Sequence, residues 1–237
     1  MRITFRFRWI PFIAAVTAAA IGISLGQWQT RRAQQKEAIE AQLTEREAAP
    51  PLDLNSAVPG IEEAEYRRAL VKGEFVPNWP VYLDNRPYRD MAGFYVLMPF
   101  RIAGSDKTLL VMRGWVRRDI ADRTKLPPIA TPAGQTQIEG AIRRSPGHIL
   151  QLGQAERLHP GAIVQNVEAP EFAQASGLNM LPLVLEQLSD TKDGLARDWP
   201  RPSLGIEKHR GYAFQWYALA ATALAFFVVT GFRRGKN

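Results

Sequence analysis

The chain has 237 residues, no cysteine and a formal net charge of +7. This length allows one sizeable domain with accessory segments. The lack of cysteine excludes disulfide bonds, zinc–thiolate sites, a catalytic thiol and haem attached covalently through paired cysteines.

The excess positive charge lies at the two ends of the chain, and neither end carries an acidic residue. Without the six terminal basic residues, 24 basic residues face 23 acidic ones, so the rest of the chain is nearly neutral. Basic flanks beside apolar segments indicate a membrane topology and no nucleic-acid partner. The six residues are Arg2, Arg6, Arg8, Arg233, Arg234 and Lys236.

After a basic end at residues 1–8, residues 9–28 are predicted to form the first transmembrane helix. They include an uncharged stretch, and a span needs about 20 residues. A cleaved signal peptide is the alternative, because the basic start and three consecutive alanines are also typical of one. The apolar character continues past those alanines. Small residues that favour helix packing also recur every fourth position, at Ala14, Ala18, Gly22 and Gly26.

Residues 29–210 are predicted to form a β-rich domain. It begins with a helix over 29–47, which is rich in helix formers, and its strands begin at about residue 66. Short runs rich in aromatic and β-branched residues alternate with turn residues, which is typical of an antiparallel sheet or a partly closed barrel. The predicted strands are 66–76, 79–88, 93–102, 108–118, 136–144, 163–167 and 181–188, with a short helix near 170–176.

Residues 211–232 are predicted to form the second transmembrane helix, followed by a basic tail at 233–237. Two spans put both termini on one side of the membrane, and their basic residues place that side in the cytoplasm. The predicted fold is therefore an α+β membrane protein, with two transmembrane helices flanking an extracytoplasmic β domain.

The sequence predicts no catalytic residue. His148 and His159 lie in loops without a second ligand at a familiar metal spacing, and no nucleophile elbow, HExxH motif or phosphate loop occurs. A membrane-tethered hydrolase or transferase would need such a constellation. Four carboxylates could pair only in the folded chain: Asp84, Asp90, Glu139 and Glu186.

The start of the second span carries a polar and aromatic cluster. At 100° per residue, one helix face collects His209, Tyr212, Ala213, Trp216, Ala220, Ala223 and Phe227. An interfacial aromatic belt explains most of these residues, as it does Gln27-Trp28 at the first span. It explains His209 less well. An imidazole at the membrane edge suits an axial haem ligand, and a flat macrocycle would fit against alanines.

Three strand positions invite a functional or a structural interpretation. Gly73 inside a predicted strand is typical of a bulge or a close backbone approach. Arg113 beside Trp115 is typical of a stacked pair of arginine and an aromatic ring on the surface, and Arg86 in DNRPY also has a structural interpretation. Taken singly, each favours a structural role.

Six pieces, in this order, resemble the Surfeit locus protein 1 family of cytochrome c oxidase assembly factors. The resemblance covers nearly the whole chain, and the order of the pieces between two terminal spans is more specific than any single piece. The pieces are LGQWQTRR, VKGEF, DNRPY with GFYVLMPF, RGWVRRD, IEGAIR and KHRGYAFQWYALA.

The resemblance implies a non-enzymatic factor in the cell (inner) membrane that assists haem a delivery or insertion into the catalytic subunit of the oxidase. The implied partners are that subunit and the haem a synthesis machinery. The alternative is a two-span scaffold or docking protein of another envelope complex, without haem.

The resemblance also implies site residues. His209 matches a family histidine and would be the axial ligand of the iron of a transient haem a, with Tyr212 and Trp216 beside it. The family often has two asparagines immediately before this histidine, where this chain has Glu207 and Lys208. By resemblance alone, candidate contacts with a partner protein are Arg86, Arg113 and Trp115.

Overall fold

The computed structural model describes residues 3–122, 124–151, 156–200 and 204–234. Of the predicted basic ends, Arg2 and residues 235–237 lie outside the described residues. The chain divides into two units, residues 1–43 with 201–237, and residues 44–200. In chain order the elements are β1 (Ile3–Phe5), α1 (Trp9–Ala48), β2 (Leu52–Asp53), α2 (Ile61–Ala64), β3 (Arg68–Phe75), β4 (Val81–Leu83), β5 (Gly93–Ile102), β6 (Thr108–Arg117), β7 (Thr136–Arg143), β8 (Ile163–Val164), α3 (Ala169–Ser176), β9 (Met180–Gln187), α4 (Ile206–Gly231) and β10 (Phe232–Arg234).

The first unit is built on two helices that are long and apolar enough to cross a membrane, α1 and α4. This confirms the two predicted helices. The predicted helix over 29–47 is the continuation of α1, because no glycine or proline interrupts that stretch. Near the termini β1 pairs antiparallel with β10, a two-stranded sheet that the sequence did not predict.

The small residues that α1 buries differ from those predicted. Gly22 and Gly26 are buried, whereas Ala14 and Ala18 are exposed. A step of four residues overshoots a full helical turn by about 40°. Residues spaced strictly every four positions therefore move progressively around the helix and do not stay on one face. Steps of four and three in alternation stay on one face, and the buried residues follow them: Ala15, Ala19, Gly22 and Gly26.

Gly22 lies at the contact between α1 and α4, and we expect Gly22→Leu to destabilise this helix pair by about 1 to 3 kcal/mol, the usual cost of overpacking. A Cβ atom at Gly22 would lie 2.9 Å from the carbonyl oxygen of Trp216 and 3.0 Å from the Cβ of Ala220. Thermal unfolding in detergent, followed by circular dichroism, measures the effect. Ala14→Leu on the exposed face is the control. Equal melting of the two variants would contradict this packing.

The second unit contains a closed five-stranded barrel in the order β3-β7-β9-β6-β5, closed by the pairing of β5 with β3. Four of its five strand pairs are antiparallel and one, β6 with β9, is parallel. A ring with an odd number of strands cannot alternate direction all the way round, so at least one parallel pair is required. The barrel confirms the predicted fold class and closes more completely than the sequence indicated.

The strand side chains alternate between the barrel interior and an outer apolar layer. All five barrel strands contribute to the interior core, for example through Leu109, Val111 and Ile138. The intervening residues Leu110 and Met112 belong to a second core, in which Phe172 of α3 packs on the outside. The nearly continuous apolar run of β6 therefore reflects burial on both faces.

The predicted strand over 79–88 is the clearest error within the sheet. Only Val81–Leu83 forms a strand, β4. Asn85 has a left-handed backbone with φ 59°, and Arg89 and Asp90 follow at φ 47° and 62°. Extended pairing cannot continue through such residues.

Candidate functional site

His209 lies in the first turns of α4 and contacts α1. The imidazole is half-buried, and its Nδ1 lies 2.7 Å from Oε1 of Gln29. An amide oxygen only accepts hydrogen bonds, so Nδ1 carries the proton and donates it to Gln29. Nε2 is then the unprotonated nitrogen, with its lone pair available to a metal.

Two polar contacts join α1 and α4 close to His209. Lys36 donates from Nζ to the carbonyl oxygen of Leu204 at 2.6 Å, and Arg210 forms an ion pair with Glu37 at 2.8 Å. These contacts tie the beginning of α4 to the part of α1 that follows Gln29. The histidine is therefore held between two helices that are fixed to each other.

The two residues just before His209, where the family often has asparagines, form no hydrogen bond with the imidazole. Glu207 and Lys208 are exposed, and Glu207 pairs with Arg210 at 3.2 Å. Among the described residues, the hydrogen-bond partner of the imidazole comes from α1 and not from the residues just before it.

The face of α4 below His209 packs mainly against α1. Ala213 and Ala220 are buried, and Gly22 of α1 lies against Ala220. These alanines are therefore not open to a flat macrocycle. Tyr212 is 50% exposed at the margin of this face, and Trp216 is half-buried within it, so of these two rings Tyr212 is the more accessible to a ligand of His209.

Arg113 lies in the second unit, within a largely buried ion-pair network. Its Nη2 donates to Asp193 at 2.7 Å, and both side chains are 0% exposed. Nη1 donates to the hydroxyl of Thr131 at 2.8 Å, and the guanidinium lies 4.5 Å from the centre of the Phe75 ring. Arg197 also donates to Asp193, at 2.6 Å.

Asp193 is the centre of this network. Burial alone would raise the pKa of its carboxyl group, but hydrogen bonds from Arg197 and Thr191 and from the Leu195 amide outweigh burial and hold the pKa below its usual value. Arg113 and Arg197 therefore face a carboxylate. A buried guanidinium requires such a partner, because an unpaired charge inside a protein is costly.

Arg86 and Trp115 lie next to each other. The Trp115 indole donates from Nε1 to the Arg86 carbonyl oxygen at 2.7 Å, and Arg86 donates from Nη2 to the carbonyl oxygens of Gly147 and Gln165. Together with Arg113 these side chains are buried, at 8% exposure or less. Their surroundings support a structural role, but the expected surface location was wrong, since Arg113 packs over Phe75 inside the domain. Direct contact of these side chains with a partner protein would require this domain to open.

Three of the four noted carboxylates pair with arginines and not with each other. Asp84 pairs with Arg118 at 3.3 Å, Glu139 with Arg68 at 3.2 Å and Glu186 with Arg143 at 2.7 Å. Asp90 lies exposed in a turn, as do His148 and His159 in their loops. Within the described residues, no group of three histidines or acidic residues could hold a metal ion.

Sequence reasoning missed two partners that only the folded chain brings close. Gln29 is 180 positions from His209, and Asp193 is 80 positions from Arg113. The sequence offers a weak indication for Gln29, since it lies in the LGQWQTRR piece at the end of the first predicted span. It offers no indication for Asp193, which lies in none of the six pieces.

Comparison with known proteins supports the family resemblance that the motifs indicate. The model of the SURF1 family matches residues 16–221. A SURF1-like protein of Monosiga brevicollis is 27% identical over 243 residues, covering 94% of this chain and 88% of that protein. Surfeit locus protein 1 of Rattus norvegicus is 26% identical over 232 residues, covering 91% and 74%. The cytochrome oxidase assembly protein SHY1 of Saccharomyces cerevisiae is 25% identical over 177 residues, covering 73% and 45%. Because the family model spans most of the sequence, the chain belongs to the SURF1 family.

Proposed function

We propose that the protein is a non-enzymatic factor that assists the assembly of cytochrome c oxidase. Membership of the SURF1 family supports this function, as does the similarity to a yeast protein named for cytochrome oxidase assembly. The two long apolar helices would anchor it in the cell (inner) membrane. The central β domain would then act on the extracytoplasmic side, with the catalytic subunit and the haem a synthesis machinery as partners.

Within this function, His209 holds haem a transiently by coordinating the iron through Nε2. The observation that carries the assignment is the 2.7 Å contact between Nδ1 and Gln29, which fixes the tautomer and the ring orientation. Histidines that bind metals generally donate a hydrogen bond from the N–H of their other ring nitrogen. When bound, the haem would supply an iron that accepts the imidazole nitrogen as a ligand.

Two aromatic side chains on α4 would contact the porphyrin to different degrees. Tyr212 lies one helical turn beyond His209 and is half-exposed, so its ring can pack against a bound macrocycle. Trp216 is half-buried, and its backbone carbonyl oxygen approaches Gly22 of α1, so less of its ring is accessible.

The haem assignment is tested by the absorption spectrum of the full chain, purified from cells that make haem a. We expect haem a in the wild type and its loss in His209→Ala. Gln29→Leu keeps the ligand but removes its hydrogen bond, and should weaken haem binding about 10- to 100-fold. His148→Ala, in an exposed loop, is the matched control and should keep full occupancy.

Full haem occupancy in His209→Ala would show that the ligand assignment is wrong. A wild type without haem would leave only a role through protein contacts. The role in assembly has its own test: cells that lack this protein should contain a smaller amount of assembled, active oxidase. A normal oxidase content in such cells would reject the assembly function itself.

A further inference from the structure

The short segment FRFRW (residues 5–9), which leads into α1, alternates aromatic and basic residues. Phe5 and Phe7 contact Phe227 of α4, with ring-centre distances of 6.0 Å and 5.9 Å, although both rings remain partly exposed. Arg6 and Arg8 are exposed. The Arg6 amide donates to the carbonyl oxygen of Gly231 at 2.9 Å, which fixes this segment beside the end of α4.

A cleft of about 450 Å³ lies at this point of the first unit. Its lining consists of Arg6, Phe7, Arg8, Thr230 and Gly231. This volume is within the range of about 300 to 1,000 Å³ that is usual for small-ligand sites. Both arginines therefore border one recess and are not scattered over the surface.

The positive charge of this cleft is not neutralised by nearby acids. Within the described residues, neither Arg6 nor Arg8 forms an ion pair or a side-chain hydrogen bond. The sequence has no acidic residue in 1–36 and none in 208–237. Guanidinium groups match phosphate oxygens in a bidentate geometry, and two of them at one recess favour a phosphate ligand.

We propose that this cleft binds the phosphate of an anionic phospholipid headgroup, in the leaflet next to the two ends of the chain. Free phosphate shares this chemistry, but the surroundings favour a lipid. Trp9 is 69% exposed and Ile10 is 84% exposed immediately after the cleft residues. Such side chains are suited to the interface and the acyl region, so a bound headgroup would have apolar contacts for its chains. Basic residues at this position attract anionic lipids in general.

The test measures lipid binding to the full-length protein in detergent by native mass spectrometry. Phosphatidylglycerol should bind in clear preference to phosphatidylcholine. The paired change Arg6→Gln with Arg8→Gln should weaken phosphatidylglycerol binding roughly thirtyfold and remove the preference. Inorganic phosphate, added as a competitor, distinguishes a lipid headgroup from a free anion.

The matched control is the paired change Arg31→Gln with Arg32→Gln, which removes the same charge beyond the other end of the first span. It should leave the preference intact. If both paired variants lost the same amount of phosphatidylglycerol binding, net charge alone would explain the preference, and the proposed site would be wrong. Inorganic phosphate that binds as tightly as the lipid would overturn the lipid assignment. An unchanged melting temperature confirms that the Arg6 and Arg8 variant is folded.

Discussion

Replacing Asp193 with asparagine is expected to lower the free energy of unfolding of the second unit by about 3 to 5 kcal/mol. The change is nearly isosteric, but it leaves Arg113 and Arg197 without their shared carboxylate. The Arg113 side chain is 0% exposed, so its charge cannot reach water, whereas Arg197 is 10% exposed and keeps a 3.5 Å ion pair with Asp190. Urea unfolding of the full chain in detergent, followed by tryptophan fluorescence, measures the loss.

The network also predicts an asymmetry between its members. Arg113→Met should cost less than Asp193→Asn, because Asp193 keeps its bond to Arg197 and a methionine suits the apolar surroundings of Phe75. Glu74→Gln is the control, since the Glu74–Arg101 pair is about half-exposed. Exposed pairs contribute less than about 1 kcal/mol. If Glu74→Gln were as unstable as Asp193→Asn, burial would not determine how much stability is lost when an ion pair is broken.

Acidification provides an independent measurement of the same carboxylate. The folded-state pKa of Asp193 is lowered, so its contribution is present above the unfolded-state pKa and is lost as the pH falls through the folded-state value. Burial raises the pKa of the Glu186 carboxyl group. Protonation of Glu186 at falling pH therefore favours the folded state and opposes the loss of stability caused by Asp193. Comparing the wild type with Asp193→Asn isolates Asp193, and the wild type should lose more stability in acid.

The fold was predictable where the pattern of side chains is local. Short runs rich in aromatic and β-branched residues located β5, β6 and β7, and an uninterrupted run of helix formers predicted the second part of α1. The limits of β4 were not predictable in this way, because they depend on left-handed residues such as Asn85. Closure of the barrel depends on β3 pairing with both β7 and β5. No local sequence pattern shows that one strand has two partners.

The candidate site was predictable only in part, for the same reason. His209 was identified because an imidazole is unusual at the edge of an apolar helix. Its partner Gln29 was not, since a glutamine near a membrane interface is common and the contact joins distant parts of the chain. Arg113 and Trp115 were noticed through residue type alone, which does not distinguish a buried arginine with a carboxylate from one that faces a partner protein.

The closure of the barrel leads to a prediction at Gly73, the residue at which β3 changes partner. Gly73 pairs with Thr136 of β7 and with Ile102 of β5. A Cβ atom there would fall on the carbonyl oxygen of Arg101 and 2.7 Å from a ring carbon of Phe100. Gly73→Ala should therefore separate β3 from β5 and destabilise the second unit by about 3 kcal/mol, at the upper end of the usual cost of overpacking.

Gly60→Ala is the matched control, because a Cβ atom at Gly60 meets nothing within 4 Å, and a cost below about 1 kcal/mol, that of losing a favourable N-cap residue, is expected there. Hydrogen exchange locates the damage. Amide protection should fall where Gly73–Phe75 pairs with Phe100–Ile102 and persist between Arg68 and Val71, where β3 pairs with β7. Uniform loss of protection along β3, or none, would contradict this closure, because only the β3–β5 pairing lacks room for a side chain at Gly73.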